Sequence, residues 1–481
     1  MASLSLSQSL DKAARWDQSY PIHKHLFHVP TLGSLGCPVA ASEASSDCIY
    51  FCGNSLGLMP RKTRDAINNE LDAWSSRAVD AHFNHPRSDG VNWMDIDLTL
   101  PDLLTSLLGT TANETAVMNT LTSNLNALLC AFYKPETNGK KNKILFEKGA
   151  FPSDYYAFLN QVRLHNLPGN PEDYLLQIAP KKNEFHLNTS DIVDLITQKH
   201  DEIALICFPG IQYYTGQFFD IQNITKVAHD YDIKIGWDLA HCVGNVSLDL
   251  HQWDVDFACF CSYKYLNSGP GSIAGIYVNE KYSKVNQNND KNQPNTDYLP
   301  RLAGWWGNDA SKRFQMIEKF EPISGALGFR QSNPSVIDVV SLKTSLEIFN
   351  QIGFHNLVEK SKLQSSFLLN LLRDSQHYID PSFFKSSKAH LDEIDYPSFT
   401  ILTPFDPDQR GCQLSLLFFP LNSKNNIMKS VFNYLWNHGI ICDERRPNVI
   451  RFAPTPLYNT FTEIVQVVEK FNQAFDHIPK N

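Results

Sequence analysis

Ile233-Lys234-Ile235-Gly236-Trp237-Asp238-Leu239-Ala240-His241 and, 26 residues beyond its aspartate, Ser262-Tyr263-Lys264-Tyr265 are the two stretches on which the reading of this chain turns. Residues 233–237 form a short apolar run without the alternation of a half-solvated strand, the pattern of a strand buried on both faces. Runs of the same kind occupy residues 143–146, 203–208, 257–261 and 273–278. Helical patterns at 153–162 and 221–229 separate several of them. Doubly buried strands joined by crossover helices predict an α/β fold, a mixed and mainly parallel sheet between helices. The runs at 257–261 and 273–278 lie too close for a helical crossover, so one of that pair is expected to be antiparallel.

Outward from this centre the chain divides by composition. Residues 1–49 are rich in Ser, Pro and Gly and read as an irregular N-terminal arm. Residues 50–335 read as a large domain carrying the sheet. Within it, Pro60 opens a helix with Ile67, Leu71 and Trp74 at i, i+4 and i+7, and a second helix at 124–132 follows Asn119-Thr120-Leu121-Thr122-Ser123. An Asn-rich stretch at 283–300 reads as an exposed insertion. Beyond Pro334 a long helix places Val336, Val339, Val340, Leu346 and Phe349 on one side, with a second helix at 357–372. Short strands at 399–403 and 413–419 follow, then a helix stopped by Gly439. Residues 336–481 are therefore expected to form a smaller α+β C-terminal domain.

The composition excludes several classes of function. In 481 residues, 42% are apolar and 19% charged, which describes a folded chain with a large core. The 42 Lys and Arg against 51 Asp and Glu leave a net charge of −9, unsuited to nucleic-acid binding, which rests on cations neutralising phosphates. No apolar run approaches the ~18 residues of a membrane span. The N-terminus carries Asp11 and Asp17 and lacks the apolar stretch of a secretory signal. Ten cysteines without a CxxC pair read as buried thiols in a reducing compartment, so a cytoplasmic location is expected.

Asp238 falls at the carboxyl end of one predicted strand and Lys264 just past the end of the next. Ligands of open α/β sheets bind in the crevice at those ends. A carboxylate and a lysine facing one crevice suit pyridoxal 5′-phosphate, whose aldehyde forms a Schiff base with an amine and whose ring nitrogen keeps its proton beside a carboxylate. Two other readings use the same region. Asp-x-x-His offers two metal ligands, but no third stands nearby and Lys264 would repel a cation, so no metal is expected. Gly53-Asn54-Ser55-Leu56-Gly57 matches a nucleophile elbow, but Leu58-Met59-Pro60 intervene before the helix that should follow directly. Residues 119–123 suit phosphate binding at a helix N-terminus and equally an ordinary cap. Phe151-Pro152-Ser153-Asp154 opens a helix after a strand, with Phe151 placed to stack on a flat ring and Asp154 to accept a hydrogen bond or cap the helix.

FCGNSLGLMP, NTLTSNLNALL, FPSD, QYYTGQ, GWDLAHCVGN, DFACFCSYKYLNSGPG, GWWG, RQSNP and IRFAPTPLYN occur in the order expected of the eukaryotic kynureninase family, which the chain resembles from about residue 50 to 460. The resemblance implies a fold-type I pyridoxal phosphate enzyme of the aminotransferase class V group. The implied reaction is hydrolysis of L-kynurenine and L-3-hydroxykynurenine to anthranilate or 3-hydroxyanthranilate plus L-alanine, in tryptophan catabolism and NAD (pyridine nucleotide) biosynthesis. It implies Lys264 as the Schiff-base residue and Asp238 as partner of the pyridine nitrogen. Leu121, Thr122, His241 and Tyr263 would surround the phosphate, with Phe151, Pro152, Ser153 and Asp154 beside the ring. Arg451 would hold the substrate carboxylate, Ser55 would be a further substrate-binding residue, and Asn333 and His82 would face the aryl ring. The family pattern has Gly-His where this chain has Ala81-His82. A homodimer is implied, with Trp305 and Asn333 acting across its interface. Tyr263 is the expected acid/base at the carbonyl, with a phenol made more acidic by its surroundings. Cysteine desulfurases, the nearest rival group, carry His where this chain has Tyr263.

Overall fold

The computed structural model describes residues 5–478 except 138, 284–297, 387–390 and 423–425. Most of the expected insertion at 283–300 lies outside the described residues. The central sheet has seven strands in the order Thr115–Val117, Gly275–Val278, Phe257–Phe260, Lys234–Asp238, Ile203–Pro209, Lys143–Glu147, Leu175–Ile178. The last five are mutually parallel. Gly275–Val278 is antiparallel to both its neighbours, so the short connection after Phe260 reverses the chain as expected. The middle strands are buried almost throughout because helices cover both faces. Gly236 is required in its strand: a Cβ there would overlap the Phe257 ring on the neighbouring strand.

Two strands escaped the sequence reading, Thr115–Val117 and Leu175–Ile178. Both are short and stand at the sheet's edges, where only one neighbour fixes them. Helices Leu121–Phe132, Pro152–Leu164 and Ile221–Asp230 lie close to their expected positions.

The N-terminal arm is not irregular throughout. Leu6–Ser19 is a helix, opened by a capping box between Ser5 and Gln8. It docks on the last helix, Phe461–Asp476: Trp16 packs on Phe461 at 4.9 Å, and Asp17 accepts from the Phe461 and Thr462 N–H groups. Its serines looked like loop composition, yet one of them is the cap.

Helix Arg61–Arg77 also forms, but its buried face is Thr63, Glu70 and Ala73. It rests on Val336–Ile352, with Thr63 bonded to Thr344, and this leaves Leu71 and Trp74 exposed.

The second sheet is antiparallel, ordered Ser398–Ile401, Leu414–Phe419, Val449–Phe452, Asp443–Arg445. It forms its own core with Phe367, Leu368 and Leu372 of helix Phe354–Arg373. The division between cores falls inside that helix rather than before residue 336, because Val339, Leu342, Leu346 and Phe349 pack into the core of the large sheet. Gly439 follows helix Ile427–Asn437 at φ +73°, as its position suggested. Among the described residues, no helix is long and apolar enough to cross a membrane.

Candidate active site

A cleft of about 510 Å³ opens at the carboxyl ends of the parallel strands. Strand Lys234–Asp238 delivers Asp238 to its floor, where one carboxylate oxygen accepts from the Ala240 N–H at 2.7 Å. The next strand, Phe257–Phe260, runs into a tight turn that presents Tyr263 and Lys264. That turn is pinned from behind: Ser262 donates to the Ile273 carbonyl, the Asn267 N–H to the Lys264 carbonyl, and the Gly57 N–H to the Tyr263 carbonyl. Gly57 permits this approach, since a Cβ would strike the Lys264 carbonyl. The Gly53–Gly57 loop therefore supports the lysine turn, and the chain passes through strand Met59–Pro60 before its helix begins.

Lys264 Nζ lies 2.9 Å from His241 Nε2. Burial and the nearby Lys264, Arg451 and Arg445 charges push His241 well below its ordinary range. His241 is therefore neutral, accepts through Nε2, and carries its proton on Nδ1, which is buried without a partner. Asp154, in the first turn of helix Pro152–Leu164, is buried beside Asp238 and bonded to it. Burial first, then the Asp238 charge and the Glu147 carboxyl close by, push Asp154 well up, so it donates and Asp238 accepts. Asp238 is itself raised by burial, against the opposing effects of the Ala240 N–H and Lys264.

At the opposite wall, helix Leu121–Phe132 starts without a side-chain cap, so its first N–H groups remain available. Thr122 and Ser153 share a hydroxyl hydrogen bond of 2.7 Å there. Phe151 stands 46% exposed, edge-on to Tyr213 at 5.2 Å. An amine, a buried carboxylate, an aromatic face, an uncapped helix start and an orphaned imidazole N–H match the aldehyde, ring nitrogen, ring and phosphate of pyridoxal phosphate.

Leu121, Thr122, Phe151, Ser153, Asp154, Asp238, His241, Tyr263 and Lys264 line this one cleft. Pro152 starts the helix without lining it. Arg451 lies in the second sheet, fully buried, and reaches toward the cleft: Nη1 donates to the Tyr213 carbonyl at 2.7 Å and Nη2 to Ser55 Oγ at 3.2 Å. Asp443 accepts from its Nε and Nη2, and Ser55 bonds Asp443 in turn. Trp305, Asn333 and His82 do not line the cleft of their own chain. His82 packs edge-on to Trp93, Asn333 is exposed, and Trp305 is 46% exposed.

One expectation is reversed. Tyr263 is not made more acidic: burial raises its phenol, and the Cys261 thiol raises it further. It keeps its proton throughout the physiological range. Glu147, Tyr213 and Ile211 also line the cleft and were not singled out. Signals existed for two of them: an acid ending the apolar run 143–147, and QYYTGQ directly after a strand.

Residues 383–471 match the model of the kynureninase C-terminal domain, and residues 169–289 that of the class-V aminotransferases. A kynureninase from Lodderomyces elongisporus is 55% identical over 460 residues, covering 95% of each chain. This chain belongs to the kynureninase family. A second kynureninase, from Candida albicans, is 52% identical and covers 98% of this chain and 99% of its own. Among solved structures, an Escherichia coli cysteine desulfurase superposes with TM-score 0.66 at 14% identity, over 90% of this chain and 96% of its own. A C-DES variant with glycine covalently linked to its PLP cofactor gives TM-score 0.65 at 15% identity, over 89% and 97%. These two likenesses establish the fold, fold-type I, and no more, so the desulfurase name does not compete with kynureninases more than half identical to the chain.

Proposed function

We infer that Lys264 and Asp238 are the cofactor's two principal anchors, and that their meeting in one cleft carries the functional reading. The chain is an enzyme that uses pyridoxal phosphate. It hydrolyses L-kynurenine and L-3-hydroxykynurenine to anthranilate or 3-hydroxyanthranilate and L-alanine, in the kynurenine pathway. Incubating the purified protein with L-3-hydroxykynurenine and pyridoxal phosphate tests this reaction: alanine and 3-hydroxyanthranilate should appear in equal amounts, and release of neither would contradict it. Its place in NAD biosynthesis and in the cytoplasm is part of the same reading.

When bound, pyridoxal phosphate supplies an aldehyde for amines and an electron sink for the bond being broken. The residues do the rest. Asp238 would accept from the protonated ring nitrogen, with Asp154 holding it in place. The N–H groups of Leu121 and Thr122, the Thr122 and Ser153 hydroxyls and His241 Nδ1 would donate to the phosphate, with Tyr263 beside it, and Phe151 would cover the ring. Lys264, steered by His241, would take the proton from the substrate Cα. Tyr263, with its proton firmly held, acts at the substrate γ-carbonyl as a donor rather than a base while water adds there.

Arg451 takes the substrate α-carboxylate. Four of its five N–H groups already face Asp443, Tyr213 and Ser55, so the carboxylate would meet one free N–H and compete with Asp443 for the Ser55 hydroxyl. Replacing Arg451 by Ala removes the partner of a buried charge, and KM should rise by the equivalent of ~2–5 kcal/mol. Steady-state kinetics on the variant check this; an unchanged KM would remove Arg451 from the site.

The homodimer rests on a surface. His82, Phe83, Phe314 and Trp305 form a chain of ring contacts at 6.2, 5.7 and 5.4 Å. Phe83 and Phe314 are each half exposed, and Val79 and Met316 are 72% exposed. Contiguous apolar exposure of this kind marks a protein interface. It gathers Trp305 and His82, which their own cleft does not use, on the face that would meet a partner.

A further inference from the structure

Glu147 ends strand Lys143–Glu147 at the cleft, on the same wall as Asp238 and Asp154. It is 2% exposed, and neither carboxylate oxygen receives a hydrogen bond from another residue. No cation pairs with it among the described residues. The roles assigned above to the other cleft residues leave it unused, yet an ionised carboxylate in this position would lack both water and partner beside a second buried carboxylate.

The groups around it come from every packed element. Asp238 approaches from strand Lys234–Asp238, Asp154 from helix Pro152–Leu164, and the Cys207 thiol from strand Ile203–Pro209. Lys264 and His241 line the cleft beyond Asp238. On the other side Glu147 borders a second cavity of about 770 Å³ with Lys148, His186, Tyr213 and Tyr214. Lys264 is held by His241, and Lys148 is exposed on the far side.

We propose that Glu147 is a positioning residue of the cofactor cleft: it carries its proton at neutral pH and so leaves Asp238 as the single carboxylate facing the cofactor's ring nitrogen. The physical cause is desolvation. Burial pushes the Glu147 carboxyl up to about 8, with the Asp238 charge adding to the rise and its own backbone N–H opposing it. Asp154 is neutral for related reasons and is used up as donor to Asp238. Of three carboxyls in the cleft, one is therefore charged, matching the single positive charge of a protonated pyridine ring. Above pH 8 Glu147 loses its proton to solvent, and the second negative charge raises the proton affinity of every base in the cleft.

The inference rests on the pairing of Asp238 with the ring nitrogen, and the test keeps the two apart. The infrared spectrum of the wild-type holoenzyme at neutral pH should contain the C=O stretches of two protonated buried carboxyls, Glu147 and Asp154. The Glu147 band should be missing from Glu147→Gln while that of Asp154 remains, and in the wild type the Glu147 band should fade as pH rises through about 8. Absence of the Glu147 band overturns the proposal. If Glu147→Gln does not fold, the pH-difference spectrum of Asp154→Asn decides it, since Glu147 is then the one protonated carboxyl of the cleft and its band should still fade through about pH 8. The absorbance of bound cofactor, titrated between about pH 6 and pH 10, supplies the second readout. Glu147→Gln should match the wild type at the acid end and titrate about one pH unit lower, because it cannot acquire the extra charge. Identical titrations would show that the carboxyl does not act on the cofactor, and would likewise overturn the proposal. If instead Asp238 does not face the ring nitrogen, Asp238→Asn will keep the wild-type absorbance while the Glu147 band persists.

Discussion

Co-expressing a Lys264→Ala subunit with a Trp305→Ala/Asn333→Ala subunit should yield activity that neither possesses alone. In a mixed dimer one cleft loses both its lysine and its partner's Trp305 and Asn333, while the other keeps all three. Random pairing makes half the dimers mixed, each with one intact cleft of two, so activity should return to about a quarter of the wild-type level. The structure motivates this through placement. Trp305 and Asn333 stand on the surface, Trp305 within an exposed aromatic chain, and neither borders the cleft beside its own Lys264. Activity no greater than the sum of the two separately expressed variants would mean that each subunit works alone.

Lys264→Ala by itself should reduce kcat by more than about a thousandfold. A positioned general base contributes ~10²–10⁴ in rate, and on the proposed function this residue would supply the covalent anchor as well. The fold should survive, since the lysine turn is held by Ser262, Asn267 and Gly57 rather than by the Lys264 side chain. Cofactor should still bind through the uncapped start of helix Leu121–Phe132 and through Asp238, but with altered absorbance and faster dissociation. A variant retaining more than about a tenth of wild-type kcat would move the chemistry to another group.

The parallel part of the sheet was legible because burial on both faces leaves apolar runs that polar substitution cannot interrupt. Its edge strands were not, since one neighbour imposes little pattern. Asp238 and Lys264 could be placed because strand ends in such sheets define a crevice. Glu147 was hidden because a single acid after an apolar run looks like a strand terminus meeting solvent, and only the packing of Asp154 and Asp238 around it shows that water is excluded. Tyr263 failed differently: its neighbours in sequence suggested an acidic phenol, but burial and Cys261, two residues before it, raise the phenol instead. Leu71 and Trp74 looked like core on helix Arg61–Arg77, yet Thr63 and Ala73 fit the close approach to Val336–Ile352 and the large side chains point away. Periodicity reveals a helix more surely than it reveals which face is buried.

Reducing the holoenzyme with borohydride and mapping the pyridoxyl group by mass spectrometry tests the central claim most directly. The label should sit on the peptide that contains Ser262-Tyr263-Lys264-Tyr265, and Asp238→Asn should alter the absorbance of the cofactor before reduction. A label carried by any other lysine, or a protein that takes up no cofactor, would contradict the account.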